Sequence, residues 1–529
     1  MKKSAKPKAQ RNLDKHLFEA GQQCPKRLWL DYHQPGSEPS TARRQEMSRV
    51  GDELRALART AFPMAVTVAA DDITAAAEET AEAVADGAPV LFDPAFVADG
   101  VEVRCDILVV HKDKRVDLFE IKSGTKVKHR YVNDLALQAT VLAHEGLEMQ
   151  RAYLLHVNPN YAHTAGEDYP PMELMRSSDV TQKVQKQLPN VVRKLGLSRK
   201  AAARDTAPEV AMGTFCRSPF ACPHMAACAE SAPERPLHQL PEISRVQETE
   251  LVAAGFRKLS DVPLDHEGLT FRQRRTLQCH ERGERIVEDF VSEDLAECDH
   301  PLHFVAMTSV TDPLPRFDLQ KPWQRTPYAW AVKTVHEDGR VESKSFAQVD
   351  RDDPRGAFVR GLSRHLEMGG TALVWDEAHL RDLRGLLDSL PDEKGALRML
   401  LGQDVLDMRA LFESGVFDPE LSRYDDLTEV SALLLGDPSG RELEALDGDA
   451  RYELVHKARA PRVRSTTRDK ITGQVTEALN WQAERLYALY DAFCTEEDRE
   501  AARRADAEAD RQETGQQDAE PDAPQQLPE

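Results

Sequence analysis

The sequence lacks any run of about eighteen uncharged apolar residues, the length that a membrane-spanning helix requires. Its basic N-terminus, MKKSAKPKAQRNLDKH, is not followed by an apolar stretch, so the pattern of a secretory signal peptide is also missing. These two absences argue against a membrane-spanning or secreted protein. We therefore expect a cytoplasmic protein without a membrane partner, beginning with a flexible basic leader over residues 1–15.

A net positive charge, which is common in nucleic-acid-binding proteins, is absent as well. The formal net charge is −21 over 529 residues. The last 35 residues hold 12 Asp or Glu against 4 Arg and so contribute −8 of that total. Because nucleic acid is attracted by a local basic surface rather than by the chain average, the net charge excludes no such partner. The segment 495–529 is predicted to be a disordered acidic tail.

The length, with 41% hydrophobic residues, predicts two to four domains. In the first half, alternation predicts strands and three-to-four-residue apolar spacing predicts helices. The predicted strands are Pro89–Phe96, Glu102–Val110, Arg115–Lys122 and Ala152–Val157, and the predicted helices are Leu13–Tyr32, Arg43–Phe62, Leu135–Ala143 and Val180–Lys194. This order is typical of an α/β domain with a mixed sheet.

The second half contains another alternating region. It begins at His303, continues through Tyr328–Val335 and Thr371–Val374, and is followed by helices up to Val475–Phe493. A second α/β domain is therefore predicted. The predicted divisions are a first domain over 16–230, a helical linker region over 231–300 and a second domain over 301–494.

The chemistry concentrates in VEVRCDILVVHKDKRVDLFEIKSG, where polar HKDKR separates two alternating runs. Such a segment is expected to fold as an antiparallel hairpin. If the turn is centred on Asp113, then Val110 lies opposite Val116 and Asp106 lies opposite Glu120. The Cβ atoms of the two acids would then be ~5 Å apart on one face. Lys122 is two residues beyond Glu120 and shares that face.

Two facing carboxylates repel each other unless a cation lies between them. Oxygen ligands alone favour Mg²⁺ or Mn²⁺, which can orient a water molecule and polarise a phosphodiester. Lys122 could stabilise charge on the phosphate. The alternative is that Asp106 and Glu120 are exposed residues on an outer sheet face, since E-x-K triplets are common.

The neighbouring helices add further candidate residues. Gln138 lies on the helix after the hairpin, and Glu53, in the second predicted helix, could supply another carboxylate to the same site. A basic edge beside Lys122 is suited to phosphates. Its residues are Lys126, Lys128, His129 and Arg130, with Tyr131 at the start of the helix. The alternative for this run is a solvated loop.

Asp106, Glu120-Ile121-Lys122 and Gln138 together resemble the motifs of the PD-(D/E)XK nuclease superfamily in its RecB-like branch. The resemblance implies that the Asp and the Glu bind metal, that the Lys is catalytic and that the Gln positions substrate. Glu53 falls where the branch has a helical carboxylate or histidine. One departure is that Leu142 stands where a tyrosine is often found, which affects substrate positioning but not the metal site.

Three cysteines cluster in TFCRSPFACPHMAACAE, and a fourth, Cys24, precedes them by almost 200 residues in GQQCPKRLW. The spacings Cys216-x5-Cys222 and Cys222-x5-Cys228 are not those of the usual C-x2-C zinc pair. Four thiolates suit an iron–sulfur cube as well as zinc. The alternative is a set of incidental buried cysteines with His224 nearby.

This arrangement looks like that of CRISPR-associated and AddB-type iron–sulfur nucleases. The resemblance implies a [4Fe–4S] cluster held by one N-terminal and three C-terminal cysteines, here Cys24, Cys216, Cys222 and Cys228. The family spacing is commonly C-x2-C-x5-C, so the first gap is wider here. The cluster would tie the first helix to the end of the domain. The other cysteines, Cys105, Cys279, Cys298 and Cys494, are expected to be ordinary buried thiols.

A wider resemblance covers nearly the whole chain. The segments QCPKRLWLDYH, LLHVNPNYAH, CRSPFACP, TPYAWAVK and DPRGAF are similar to those of a poorly characterised bacterial family. That family joins an iron–sulfur, restriction-endonuclease-like (PD-(D/E)XK) α/β core to a DnaQ-like, RNase H-fold exonuclease domain.

A DnaQ-like domain needs an Asp-x-Glu pair on its first strand to hold two metals. In HFVAMTS those positions are occupied by Ala306 and Thr308, whereas Asp376, Asp407 and Glu484 fall near other expected acids. We therefore expect a degenerate, noncatalytic second domain that is retained for contacts with nucleic acid or protein.

The leading prediction is a metal-dependent nuclease that cuts DNA at ends or single-stranded flaps, in bacterial DNA repair or in defence against foreign DNA. A helicase or a protein of a defence system is a possible partner. The alternative is an idle nucleic-acid-binding scaffold whose partner does the cutting. Two questions stay open from the sequence, namely RNA instead of DNA as substrate and zinc instead of the cluster.

Overall fold

The computed structural model describes residues 11–35, 42–440, 442–443, 448–495 and 497–501. The first ten residues of the predicted leader and most of the predicted acidic tail lie outside these ranges. The chain divides into two compact α/β units, unit 1 over 1–239, 243–258 and 311–324, and unit 2 over 240–242, 259–310 and 325–529. The predicted linker region is thus shared between the units. In the described ranges, no helix has the length and apolar character needed to cross a membrane.

Unit 1 contains nine α-helices and eight strands among its described residues. In chain order they are α1 Lys15–Gln23, α2 Pro25–His33, α3 Ala42–Arg59, β1 Val66–Thr67, α4 Ile73–Ala85, β2 Val90–Phe92, β3 Ala95–Ala98, β4 Val101–Arg104, β5 Ile107–Val110, β6 Arg115–Lys122, α5 His129–His144, β7 Glu148–Val157, α6 Pro171–Leu174, β8 Met175–Asp179, α7 Thr181–Ala202, α8 Met225–Ala229 and α9 Arg245–Ala253.

Six strands form one mixed sheet in the order β1-β2-β5-β6-β7-β8. The hairpin β5–β6 is antiparallel, whereas β6 and β7 are parallel and are joined by the crossover helix α5. Helix α5 packs against the sheet through Leu135, Leu137 and Leu142, all nearly fully buried. The mixed sheet predicted from the sequence is therefore confirmed.

Two predicted strands are interrupted. The stretch Glu102–Val110 divides at Cys105, because β4 pairs with β3 in a separate ribbon whereas β5 joins the main sheet. The stretch Pro89–Phe96 divides at Asp93, whose φ of 53° places it in the left-handed region. Alternation continues through both breaks, so the sequence alone did not reveal the change of sheet.

The N-terminal segment is more ordered than predicted from residue 11 onwards. Leu13, inside the predicted leader, is buried and pairs with Val101. Asp14 then caps α1 by accepting a hydrogen bond from the Leu17 N–H. The predicted helical segment Leu13–Tyr32, for which we expect a glycine-containing turn before Cys24, divides at Cys24 itself, whose extended backbone ends α1 and starts α2. Gly21 lies within α1.

Unit 2 has nine α-helices and seven strands among its described residues. They are α10 Phe271–Arg282, β9 Ile286–Val287, α11 Phe290–Ala296, β10 Leu302–Thr311, β11 Arg325–Val335, β12 Val341–Ala347, α12 Arg355–Leu366, β13 Thr371–Val374, α13 Ala378–Arg381, α14 Lys394–Leu401, β14 Asp404–Asp407, α15 Met408–Gly415, β15 Val416–Phe417, α16 Leu427–Leu435, α17 Gly448–Arg459 and α18 Ser465–Phe493.

The sheet of unit 2 has the order β12-β11-β10-β13-β14. Strands β10, β13 and β14 run parallel, and β11 and β12 are antiparallel to each other. Successive residues of β10 point to opposite faces, so Phe304 packs with Leu486 and Tyr490 of α18, and Val305 packs with Phe358 of α12. Helices thus cover both faces of this sheet, as expected for an α/β domain.

Candidate functional site

The β5–β6 hairpin brings Asp106 and Glu120 together as predicted. Val110 pairs with Val116 and Ile107 pairs with Phe119, so Asp106 lies opposite Glu120 in the continuing register. The Ile121 N–H donates a hydrogen bond of 2.7 Å to the Asp106 Oδ2, which holds this carboxylate against β6. The interruption after β4 therefore places Asp106 at the point where the chain enters the main sheet.

Glu120 is the centre of the polar cluster. Its residue is only 4% exposed, and its Oε2 accepts a hydrogen bond of 2.7 Å from the Gln138 Nε2. Its Oε1 forms an ion pair with the Lys122 ammonium. The structure thus brings together four residues predicted from the motifs, Asp106, Glu120, Lys122 and Gln138. Leu142, at the position where the resembled branch often has tyrosine, is fully buried in the core.

Two further residues complete the cluster and were missed in the sequence. The Lys15 Nζ lies 3.2 Å from the Glu120 Oε1 and 2.6 Å from the Asp134 Oδ2. Asp134 is 2% exposed and also pairs with Lys122 at 3.3 Å. Asp134 precedes Gln138 by four residues on α5, a spacing that places both on one helix face and could have revealed it. Lys15 left no such signal, because 105 residues separate it from Glu120.

The two facing carboxylates have opposite pKa shifts. Burial and the negative charge of Glu120 raise the pKa of Asp106 to about 7, although Lys122 partly counteracts them. Burial would also raise the pKa of Glu120, but the ammonium groups of Lys122 and Lys15 lower it below its usual range. One carboxylate is therefore held ionised by the lysines while its neighbour lacks enough positive charge.

Glu53 does not join this cluster through any contact among the described residues. Its side chain is 47% exposed and pairs with Arg49 one helical turn away. The residue of α3 that affects Asp106 is Arg55. Burial lowers the pKa of Arg55, but its hydrogen bond to Asp52 and the charge of Asp106 raise it above its usual value. The sequence predicted the correct helix but not the face of it that turns towards Asp106.

The predicted basic edge surrounds a buried tyrosine. The Tyr131 ring is near the Nζ of Lys122 at 5.4 Å, the Nζ of Lys128 at 6.0 Å and the guanidinium carbon of Arg130 at 4.9 Å. Tyr131 itself is 7% exposed, whereas Lys126 and Lys128 are exposed. The two lysines can reach a phosphate from solvent, and the tyrosine ring instead positions the cations around it.

A second group of predicted residues shares one pocket. It is lined by the four thiols of Cys24, Cys216, Cys222 and Cys228, together with His224. All four cysteines are free, with Cys24 and Cys216 buried and the other two partly exposed. In the part of the chain that the structure describes, no three His, Cys, Asp or Glu side chains are already arranged as a metal-binding group.

The thiols of this pocket influence one another electrostatically. Burial raises the pKa of Cys216 and of Cys222, and the negative charge that each neighbouring cysteine would carry as a thiolate raises both further. The pocket is tied to α1 by Gln23, whose amide donates hydrogen bonds of 2.8 Å to the carbonyls of Phe215 and Phe220. The pocket thus gathers the four predicted cysteines, and thiols are donors suited to an iron–sulfur cluster or to zinc.

The remaining cysteines lie elsewhere. Cys105, Cys279 and Cys494 are buried, as predicted for ordinary core thiols, whereas Cys298 is only partly buried. Burial raises the pKa of Cys279 to about 11 and that of Cys298 to about 12, so both stay protonated at neutral pH. They are therefore poor candidates for nucleophiles or metal ligands.

In unit 2 the first strand of the sheet carries no acid where the resemblance requires a pair. Ala306 and Thr308 lie on β10, and Ala306 packs into the core. Asp376 follows β13 and pairs with Arg409 at 3.0 Å. Asp407 ends β14, where its side chain caps α15 by accepting from the Ala410 N–H.

Glu484, the last of the acids predicted in unit 2, is engaged on α18. Its Oε2 lies 2.6 Å from the Lys333 Nζ, and its side chain is 58% exposed. Lys333 also lies over the Tyr487 ring at 4.1 Å. The three retained acids thus have structural partners of their own. Asp376 and Asp407 are neighbours at the ends of β13 and β14, where the Asp407 Oδ2 accepts a hydrogen bond from the Glu377 N–H, whereas Glu484 is on α18.

Residues 303–423 match the family model of a domain of unknown function, DUF2779. The matched stretch begins in β10, includes the segment 311–324 that belongs to unit 1 and ends after β15. No curated protein matches the chain. The comparisons thus name a family for part of the chain and assign it no activity.

Proposed function

We propose that the protein is a metal-dependent nuclease that hydrolyses phosphodiester bonds of DNA at ends or single-stranded flaps. The observation that carries this proposal is the convergence of Asp106, Glu120, Lys122 and Gln138 on one face of the β5–β6 hairpin and α5. Burying adjacent charges costs free energy that their mutual pairing repays only in part, and clusters of this kind with shifted pKa values are concentrated at functional sites. The proposal therefore assigns the cluster to catalysis.

Two observations support a divalent cation held by Asp106 and Glu120. Both donors are carboxylate oxygens, the ligands that Mg²⁺ and Mn²⁺ prefer. Burial and the charge of Glu120 raise the pKa of Asp106, and a cation between the two carboxylates would favour their ionised forms. When bound, such a cation supplies Lewis-acid polarisation of the phosphate and orientation of a water molecule.

The other residues of the cluster have separate tasks in the proposal. Gln138 donates to the Glu120 Oε2 and so fixes the direction in which the free lone pairs of this carboxylate point. The Lys122 ammonium is 16% exposed and can stabilise negative charge that develops on the scissile phosphate. Lys126 and Lys128, exposed beside it, would hold the neighbouring phosphates of the strand.

The sheet supports a restriction-endonuclease-like, PD-(D/E)XK assignment for unit 1. An antiparallel hairpin carrying the acids, a crossover helix carrying the glutamine and a parallel strand follow each other in the expected order. A [4Fe–4S] cluster at the four-thiol pocket is part of the proposal, with zinc as the lesser alternative. Its contribution would be structural, joining the end of α1 to the cysteine segment.

For unit 2 we propose a noncatalytic RNase H-like, DnaQ-like domain. The strand order supports that assignment, because β10, β13 and β14 are parallel and the antiparallel pair β11–β12 forms one edge of the sheet. The absence of the acidic pair at Ala306 and Thr308 and the use of Asp407 as a helix cap argue against metal binding there. All nuclease activity would then come from unit 1.

The test is cleavage of linear single- and double-stranded DNA by anaerobically purified full-length protein with Mg²⁺ or Mn²⁺. We expect the wild type to cut, the Lys122→Ala variant to lose all cleavage, and Lys112→Ala, in the exposed hairpin turn, to match the wild type. Cleavage by Lys122→Ala at the wild-type rate would place the active site elsewhere. If the wild type binds DNA tightly but does not cut it, the idle-scaffold alternative replaces this proposal. If it cuts RNA but not DNA, the substrate is RNA.

A further inference from the structure

The cysteine segment, residues 214–230, contains an exposed phenylalanine. Phe220, between Cys216 and Cys222, is 54% exposed although its neighbours line a pocket. Its backbone is fixed, because its carbonyl accepts a hydrogen bond of 2.8 Å from the Gln23 amide on α1. Exposing a phenyl ring to water costs free energy. Because the Gln23 amide holds the backbone of Phe220, the exposure of the ring is not explained by a loosely held loop.

The Phe220 ring is connected to the catalytic cluster by alternating cations and rings. The guanidinium carbon of Arg130 lies 4.9 Å from the Phe220 ring and 4.9 Å from the Tyr131 ring. Arg130 also donates a hydrogen bond of 3.0 Å to the Tyr131 hydroxyl, and Lys122 lies 5.4 Å from the same tyrosine ring. A continuous series of contacts therefore connects Lys122 to the exposed Phe220 ring. It passes through the buried ring of Tyr131 and the guanidinium group of Arg130.

This alternation matches the chemistry of an unpaired nucleic-acid strand. A single strand presents an anionic backbone and free base faces, and proteins bind it with a basic groove and aromatic side chains that stack on bases. In a duplex the base faces are already stacked on each other and are not available. Among the rings of this series of contacts, only Phe220 is accessible, since Tyr131 is 7% exposed.

We propose that Phe220 is a stacking platform for a base of single-stranded nucleic acid, with Arg130 and Lys128 holding its phosphates. The proposal rests on the proposed nuclease function and specifies its substrate as an unpaired strand that leads towards Lys122. The partner is inferred from charge complementarity, since the ring borders cations that a phosphate backbone needs.

A matched control is present in the other unit. Phe271 is 53% exposed and lies 5.4 Å from the guanidinium carbon of Arg275, so it reproduces the exposed ring over an arginine. The α10 segment that carries it belongs to unit 2, outside the cluster of Asp106 and Glu120. Comparing Phe220 with Phe271 therefore separates the loss of an exposed ring from the loss of this particular position.

The experiment measures equilibrium binding of labelled oligonucleotides by fluorescence anisotropy with EDTA present, so that no cleavage occurs. Three probes are compared, namely an oligothymidylate, a strand of abasic sugar-phosphates of equal length and a blunt duplex. We expect Phe220→Ala to weaken binding of the oligothymidylate about tenfold, within the range measured for one stacked base. Binding of the abasic strand and the duplex should stay within about twofold, because neither offers a free base to the ring. Phe220→Trp should restore binding of the oligothymidylate, and Phe271→Ala should leave it unchanged.

Three results would refute the proposal that Phe220 stacks on a base. These are equal loss for the oligothymidylate and the abasic strand, no loss for either, or loss in Phe220→Ala that Phe220→Trp does not restore. The last result would indicate that Phe220 supports the cysteine segment rather than a base. Cleavage by the wild type with Mg²⁺ is measured in parallel. Cutting that persists while the platform fails leaves the nuclease proposal standing, whereas base-dependent binding without any cutting refutes the nuclease proposal alone.

Discussion

The indole of Trp323 donates a hydrogen bond of 2.6 Å to the backbone carbonyl of Ser123, across 200 residues of sequence. Ser123 directly follows Lys122 at the end of β6. The segment that carries the tryptophan, residues 311–324, lies between β10 and β11 in sequence but belongs to unit 1. Its Leu314 packs in the same core cluster as Ile121. A segment from the second half of the chain thus supports the backbone beside Lys122.

Replacing Trp323 by Phe should therefore reduce cleavage without unfolding the protein. The change removes one hydrogen bond to the backbone beside Lys122. We expect the less well positioned Lys122 to lose about 1 kcal/mol of transition-state stabilisation, which is about fivefold in kcat/KM. Trp29→Phe is the matched control, because that indole also donates to a backbone carbonyl, of Arg204 at 2.8 Å. Rates of DNA cleavage and urea midpoints of both variants provide the check. Equal rates in the two variants would show that Trp323 has no role in positioning Lys122.

Lys15 should stabilise the metal-free protein and compete with a metal ion for Glu120. Its ammonium pairs with Glu120 and Asp134, and its side chain is 40% exposed, so Lys15→Ala should cost about 1 kcal/mol. The variant should melt lower than the wild type in EDTA but gain more on addition of Mn²⁺, because one competing cation is gone. Lys183→Ala on α7, an exposed lysine, serves as the control. A wild-type response to Mn²⁺ in Lys15→Ala would contradict the competition.

The stability of the metal-free protein should depend on the protonation of Asp106. This carboxyl has a pKa of about 7 in the folded chain and about 3.9 when unfolded. The folded state thus binds the extra proton between these values, and the contribution of Asp106 to the free energy of unfolding falls as pH rises from about 4 to about 7.

Asp106→Asn should remove that dependence. The free energy of unfolding of the variant, relative to that of the wild type, should therefore be higher at pH 8 than at pH 5. Asp113→Asn gives the opposite sign for comparison. Its hydrogen bond from the Arg115 side chain lowers the pKa of the Asp113 carboxyl, so its stabilisation is present above the unfolded pKa and is lost on acidification. Denaturant melts in EDTA at pH 8 and pH 5 measure the effect of Asp106. Melts at pH 5 and about pH 3 measure that of Asp113, because its lowered pKa leaves this carboxyl ionised at both of the higher pH values. The same pH dependence in the wild type and in Asp106→Asn would refute the assignment.

Cys222→Ala should lower both the iron content and the melting temperature of anaerobically purified protein. The reason is that this thiol lines the pocket with three others and that a bound cluster would close a loop of almost 200 residues between Cys24 and Cys216. Cys298→Ala is the control, since Cys298 is also partly exposed but lies in unit 2. Unchanged iron content and melting temperature in Cys222→Ala would remove the cluster from the proposal. Zinc in place of iron in the wild type would select the lesser alternative.

The sequence was sufficient for the parts of the site that local geometry fixes. A polar turn between two alternating runs sets the register of a hairpin, so the opposition of Asp106 and Glu120 and the position of Lys122 could be predicted. The four-cysteine pocket could also be predicted, because the resemblance named its members and the fold brings them together. Three strands of the second sheet, β10, β11 and β13, were predicted from alternation in the same way, whereas β12 and β14 were not predicted.

Only the tertiary structure decided which distant residues enter the site and which leave it. Lys15 reaches Glu120 because α1 packs beside the sheet, and Trp323 reaches Ser123 because residues 311–324 join unit 1. Glu53 turns away because the packing of α3 sets which of its faces meets the sheet. Periodicity along the chain defines faces of single elements, whereas the packing of elements against one another selects the face that meets the site, and no local pattern encodes that choice.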